Sequence, residues 1–132
     1  MSTTETLVTQ LHASDLPTQI GAAETLASLA EEGQAAIVAL VQHSGSENED
    51  LRNWCNAALE EIGAPTAAQI DELTLLASSA NPDVAFWAAT LLGRAGPLAS
   101  SAMTILQARS DDSSAPAVQR RAAWALQKIQ PA

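Results

Sequence analysis

The residues best suited to recognition chemistry are three tryptophans and two adjacent arginines. Trp54 and Trp87 are 33 residues apart, Arg121 follows Trp87 by 34 residues, and Trp124 lies about one helical turn beyond Arg121. Tryptophan and arginine are favoured anchors of protein interfaces, and a guanidinium group can stack on an indole ring. The sequence therefore predicts a contact cluster for a polypeptide partner, made of Trp54, Trp87, Arg120, Arg121 and Trp124.

The same spacing also permits a structural interpretation of these residues. On adjacent helices Trp54 and Trp87 would form a short ladder with Arg121 stacked on Trp87, and an indole supplies the large apolar area that alanine-rich helices lack. Packing between repeats and an exposed aromatic platform both remain open at this point. A blue-shifted, quencher-resistant tryptophan emission would exclude the platform.

The other reactive residue types do not form a recognisable catalytic or metal-binding pattern. His12 and His43 belong to different predicted helices and have no neighbour at ligand spacing, so no metal site is expected. Cys55 falls on an apolar stripe, which indicates a core residue rather than a reactive thiol. Adjacent carboxylates such as Glu60 and Glu61 do not face each other on a helix. We therefore expect no catalytic residues, no cofactor and no enzymatic activity.

The elements that position these residues are indicated by an internal repeat of 33 to 34 residues. Equivalent apolar positions recur in three registers: Leu26, Leu59, Leu92 and Leu126; Ile37, Ile70 and Met103; and Leu40, Leu73 and Leu106. Such a period is typical of stacked supersecondary units. The abundance of alanine and the scarcity of aromatic residues favour closely packed helices over a sheet, which predicts an all-α fold.

Each unit reads as a helical hairpin with regular start and stop signals. Asn81 is placed to cap a helix whose first residue is Pro82, and polar turns recur at the equivalent positions of other units. Gly63 and Gly96 stand just beyond the apolar stripes, where glycine commonly ends a helix. We expect a single domain over residues 1–132, with a half-repeat at 1–13, repeats at about 14–46, 47–80 and 81–113, and a terminal half-repeat at 114–132.

Three segments carry a family resemblance. Residues 81–96 (NPDVAFWAATLLGRAG), 49–63 (EDLRNWCNAALEEIG) and 117–129 (AVQRRAAWALQKI) resemble the short HEAT repeat, also called the phycobilisome-lyase HEAT-like repeat. The resemblance implies a right-handed α-α superhelix of about three hairpins with a half-repeat at each end. Some proteins with such repeats are DNA glycosylases or bilin lyases, but no residue of this chain matches a lyase site.

Charge and hydropathy narrow the classes of partner. The net charge is −9, and residues 1–93 contain thirteen of the fifteen Asp and Glu residues but a single basic residue, Arg52. Few cations are thus available to displace counterions from phosphates, which disfavours nucleic acid as a partner. No apolar run approaches the roughly 18 to 20 residues that span a bilayer. With no basic residue near the N-terminus and only one cysteine, we expect a cytoplasmic protein without a membrane partner.

These observations favour a protein-interaction or scaffold module without catalysis of its own. A structural alternative is head-to-tail self-association, in which the basic C-terminal helix of one copy meets the acidic N-terminal segment of another. A third hypothesis, with less support, is an accessory or catalytic protein related to the HEAT-like bilin lyases.

Overall fold

The computed structural model describes residues 3–130, and this range contains helices and no β-strand. Eight α-helices follow one another along the chain: α1 (Thr3–Leu11), α2 (Leu16–Leu29), α3 (Ile37–His43), α4 (Glu49–Glu61), α5 (Ile70–Leu76), α6 (Pro82–Ala95), α7 (Met103–Ser110) and α8 (Pro116–Ile129). Short 3₁₀ helices, Ala30–Ala36, Ala67–Gln69 and Gly96–Ala102, lead into α3, α5 and α7. The prediction of an all-α helical repeat fold is confirmed.

Side-chain caps explain where three of the longer helices begin. Asp15 accepts a hydrogen bond from the Thr18 amide (3.1 Å), and Asn48 accepts one from the Leu51 amide (3.0 Å). Asn81 accepts from the amides of both Asp83 and Val84, with Pro82 at the start of α6. These bonds satisfy backbone donors that the first turn of a helix leaves unpaired. The predicted cap at Asn81 is confirmed.

A backbone turn with positive φ recurs every 33 residues after α2, α4 and α6. The residues are Ala30 (φ 52°), Gly63 (φ 86°) and Gly96 (φ 63°). Glycine adopts such angles without a steric penalty, whereas a Cβ atom makes them unfavourable. Ala30 is the single non-glycine residue with positive φ among residues 3–130. The other two repeats place glycine at this turn, and the first repeat adopts a positive φ there with alanine.

The chain divides into two compact units, Met1–Gly63 and Ala64–Ala132. In the first unit, α1 packs on α2 and α3, and α4 packs on α2 and α3. In the second, α8 packs on α6 and α7, and α5 packs on α6. The apolar positions predicted at helical spacing are buried in both units, including Leu51, Cys55, Leu59, Ile62, Val84, Leu91, Leu92, Val118, Leu126 and Ile129.

None of the helices within residues 3–130 combines the length and the hydropathy that a bilayer-spanning segment requires.

Replacing Ala30 with glycine is expected to stabilise the protein. Relief of an unfavourable backbone conformation is worth about 1–3 kcal/mol, and the greater entropy of glycine in the unfolded chain offsets about 0.5–1 kcal/mol of this gain. Urea denaturation followed by far-UV circular dichroism should show a higher free energy of unfolding for Ala30→Gly.

The matched control makes the same substitution inside a helix of the same unit. Ala57→Gly in the middle of α4 should lower the free energy of unfolding by about 1 kcal/mol, because glycine disfavours helix interiors. A loss of stability in both variants would contradict the assignment of strain to Ala30.

Candidate functional site

A surface cleft in the second unit contains three of the five residues predicted to contact a partner. It has a volume of about 270 Å³ and is lined by Phe86 of α6 and by Ala117, Arg120, Arg121 and Trp124 of α8. Arg120, Arg121 and Trp124 lie three, four and seven positions after Ala117 on α8, a spacing that places each of them on the same side of the helix as Ala117. The cleft therefore follows from the packing of this face of α8 against α6.

Arg121 occupies the centre of the cluster. Its guanidinium carbon lies 4.8 Å from the ring centroid of Phe86 and 4.8 Å from that of Trp124. A guanidinium within about 6 Å of an aromatic centroid is attracted by the ring quadrupole, and each contact is worth about 0.5–2 kcal/mol. Two such contacts restrict the rotamers of a long side chain. Arg121 is thus held as an oriented cation at the protein surface.

Trp87 supports this cluster from the interior. Its side chain is buried, with 8% of its surface exposed, and its ring meets Phe86 edge-to-face at 5.8 Å with an interplanar angle of 88°. The Arg94 guanidinium lies 5.8 Å from the Trp87 ring centroid. The cation–π partners of Arg121 are accordingly Phe86 and Trp124, whereas the repeat spacing predicted Trp87. We assign Trp87 to packing beneath Phe86.

Trp124 takes its position from the absence of a side chain at Gly93. A Cβ atom added at Gly93 would overlap Cζ3 of Trp124, and would lie 3.0 Å from Cε3 and 3.1 Å from the Cα atom of Ala125. The indole therefore packs directly on the backbone of α6. The Trp124 ring also makes cation–π contacts with Arg121 and with Lys128, whose Nζ lies 5.9 Å from the ring centroid.

Trp54 belongs to the other unit and has a different environment. It lies on α4 and is 38% exposed, although it occupies the same repeat position as the buried Trp87. The ladder of Trp54 and Trp87 stays a prediction.

The residue that sequence reasoning missed is Phe86. The available signal was its position directly before Trp87, on a helix that packs against α8.

The charges of the cleft are not neutralised within the described chain. Among residues 3–130, no Asp or Glu side chain forms an ion pair with Arg120 or Arg121. Arg120 is exposed and Arg121 is half-buried. Guanidinium groups present planar sets of donors that match carboxylates in a bidentate manner. The cleft therefore combines two available cations with two aromatic walls.

The structure brings together two histidines that have no sequence motif in common. His12 follows the end of α1, His43 is the last residue of α3, and His43 Nε2 lies 3.1 Å from His12 Nδ1. Partial burial lowers the pKa of His43, and the neighbouring His12 lowers it further. The sequence indicated this contact only indirectly: His12 and His43 lie at the ends of α1 and α3, which occupy equivalent positions in the repeat.

Cys55 is confirmed as a core residue. Its side chain is fully buried in the first unit, and burial raises the pKa of its thiol to about 12. The thiolate that would act as a nucleophile is therefore strongly disfavoured at neutral pH. No group of three or more His, Cys, Asp and Glu side chains converges on a common point within residues 3–130.

A methyl group at Gly93 is expected to disrupt the position of Trp124. Gly93→Ala should lower the free energy of unfolding by about 1–3 kcal/mol, the usual range for overpacking a filled site, and should weaken the near-UV circular dichroism of the indole. The control is Gly21→Ala in α2, where a Cβ atom would meet no atom within 4 Å. That variant should gain about 1 kcal/mol from helix propensity. Equal effects of the two substitutions would refute the packing of Trp124 on Gly93.

The histidine pair predicts a loss of stability on mild acidification. Because the pKa of His43 is lower in the folded protein than its ordinary value of 6.5, the unfolded chain binds the proton first as the pH falls. Stability is thus complete above pH 6.5 and decreases as the pH falls toward the folded-state pKa. Hydrogen bonds from Thr18 and Ser114 lower the pKa values of Asp15 and Asp112, so those carboxyls titrate below this window.

Thermal melts between about pH 7.5 and pH 5.5 measure this effect, since ordinary carboxyls remain largely ionised there. The melting temperature should fall over this range in the wild-type protein and change less in His43→Gln. Reduced repulsion in a protein of net charge −9 would have the opposite sign. A melting temperature that rises on acidification would contradict the prediction.

Comparison with known proteins yields structural likeness only. No protein-family model matches the chain, and no curated protein is significantly similar to it. Two crystal structures of engineered proteins from the Northeast Structural Genomics Consortium match 98% of this chain, each at 24% sequence identity, with TM-scores of 0.59 and 0.60. The chain spans 63% and 64% of the length of those proteins. At this identity the likeness concerns the fold alone, and it agrees with the all-α helical repeat.

Proposed function

We propose that this chain is a HEAT-like protein-interaction module whose second unit binds an acidic segment of a partner polypeptide in the cleft between α6 and α8. The observation that carries the proposal is the position of Arg121 between Phe86 and Trp124, with Arg120 beside it. The repeat and the HEAT-like segments named above support the same class of function, because stacked helical hairpins commonly present preformed binding surfaces.

The electrostatics of the cleft favour an anionic ligand. Arg120 and Arg121 have no ion-pair partner within residues 3–130, so a carboxylate from another molecule would not have to displace an internal one. Contacts with two rings already restrict Arg121, so binding would require less ordering of its side chain than usual. The side chains of a partner polypeptide best suited to bind Arg120 and Arg121 are therefore those of Asp and Glu.

The walls of the cleft favour a peptide segment that carries both apolar and acidic side chains. The rings of Phe86 and Trp124 offer apolar surface beside the two cations. We therefore expect the bound segment to carry an apolar side chain next to one or two carboxylates.

The chemistry of the lining residues supports binding without catalysis. No nucleophile, and no general base that titrates near neutral pH, is found among the lining residues Phe86, Ala117, Arg120, Arg121 and Trp124.

The exposed Trp54 supports a separate contact on the first unit, since exposed tryptophan is a frequent interface anchor.

Selection from a random peptide-display library against the full chain tests the proposal. The wild-type protein should enrich peptides with Asp or Glu next to an apolar residue, and their binding should weaken as salt is raised. Arg120→Gln should weaken a selected peptide by at least about tenfold, the range for loss of a hydrogen-bonded charge contact.

The matched control is Ser101→Glu, which makes the same change in net charge at an exposed residue outside the cleft. Selected peptides should bind this variant nearly as well as the wild-type protein. Equal weakening in both variants would indicate a general effect of charge, and enrichment without acidic residues would refute the proposal.

A second candidate is self-association through unlike surfaces, and the distribution of charge favours it. Residues 1–63 contain ten Asp and Glu against one basic residue, whereas residues 64–132 contain five of each sign. An acidic surface of one copy is therefore a possible ligand for the arginines of another. Sedimentation velocity at low and high salt distinguishes the candidates: a monomer at high concentration in both conditions excludes self-association.

A further inference from the structure

The facing histidines of the first unit form a pair that the proposed partner-binding site does not use. His12 Nδ1 and His43 Nε2 lie 3.1 Å apart, and the two ring centroids are 5.1 Å apart with an interplanar angle of 47°. One nitrogen of each ring therefore faces the other ring at the ends of α1 and α3. His12 is exposed and His43 is partly buried, so this contact is accessible from solvent.

From this geometry we infer that His12 and His43 bind a divalent transition-metal ion through Nδ1 and Nε2, respectively. Two imidazole nitrogens at 2.0–2.1 Å from a tetrahedral Zn²⁺ are about 3.3–3.4 Å apart. Two adjacent nitrogens of a square-planar Cu²⁺ or Ni²⁺ site are about 2.9 Å apart. The separation of 3.1 Å lies between these values, so the nitrogen–nitrogen distance is compatible with either geometry.

Without metal, the same gap is bridged by one proton in an N–H···N hydrogen bond. Each neutral imidazole carries one proton and one lone pair, and at this distance one ring donates to the other. Coordination needs a lone pair on both facing nitrogens, so the bridging proton moves to the remote nitrogen of its own ring. Metal binding is thus a change of tautomer with no net release of protons from the neutral pair.

The surroundings favour a cation at this position. Both residues lie at the C-terminal ends of helices, where the aligned peptide dipoles carry partial negative charge. The unit that contains the pair has ten Asp and Glu residues and one basic residue, Arg52. The resulting negative potential raises the local concentration of divalent cations.

The ligand set determines which ions bind. Imidazole suits Zn²⁺, Cu²⁺ and Ni²⁺, whereas Mg²⁺ and Ca²⁺ prefer oxygen ligands. Because no third His, Cys, Asp or Glu joins the pair within residues 3–130, water completes the coordination. The site is consequently a two-histidine site with exchangeable positions.

Titration of the full chain with ZnCl₂ tests the inference. Isothermal titration calorimetry in metal-free buffer at about pH 7.5, above the ordinary histidine pKa, should show one Zn²⁺ per chain. NMR spectra of the imidazole groups should show both histidines shifting together, while MgCl₂ at the same concentration leaves them unchanged. His12→Asn and His43→Asn should each raise the Zn²⁺ dissociation constant by at least about tenfold, since even residues that only support a metal ligand are worth that much.

Cys55→Ala is the matched control because it removes another metal-binding residue type from the same unit, and its affinity for Zn²⁺ should match the wild type. Circular dichroism establishes that each variant is folded. Should a histidine variant fail to fold, the imidazole shifts of the wild-type protein decide the question. Unchanged affinity in the histidine variants, or a Zn²⁺ titration that shifts neither imidazole, would overturn the inference.

Discussion

The structure depends on the close approach of helices that occupy equivalent repeat positions. Within each unit, α2 packs on α4 and α6 packs on α8. Buried alanines such as Ala22, Ala58 and Ala122 keep side chains short along these helices. Short side chains allow the backbones to approach, but they bury little apolar surface. The larger buried side chains, chiefly leucine and isoleucine, must therefore supply most of the hydrophobic stabilisation from a limited number of positions.

The candidate site follows from this constraint through a short series of contacts. Gly93 lets the Trp124 indole lie against the α6 backbone, and the indole in turn provides one of the two rings that hold Arg121. The second ring, Phe86, rests edge-to-face on the buried Trp87. Residues of the core therefore contact the side chains that form the surface cleft. A residue of the core, Trp87, positions a wall of the cleft without contacting a ligand itself.

Charge gives the two units different chemical characters. The first unit has a large excess of carboxylates and contains the histidine pair, whereas the second has equal numbers of acidic and basic residues and presents two arginines beside aromatic rings. Cations are therefore expected to concentrate near the first unit, whereas the second attracts anionic side chains only locally, through Arg120 and Arg121. The proposed ligands of the two sites, a divalent metal ion and an acidic peptide, correspond to this division.

The sequence alone determined the features that depend on local interactions. The caps at Asn81 and its equivalents, the positive φ of Gly63 and Gly96, and the buried stripes follow from residue type and helical spacing. Helical spacing also predicted that Arg120, Arg121 and Trp124 lie near one another on one helix, and all three line the cleft.

Tertiary structure alone decided the features that depend on neighbouring helices. Trp54 and Trp87 occupy the same repeat position, yet one is exposed and the other buried, because burial is set by the elements that surround a side chain. Phe86 joined the site only through the packing of α6 on α8, and His12 met His43 only because the ends of α1 and α3 lie together. Such contacts join residues more than 30 positions apart, and no local pattern records which side chains will face each other.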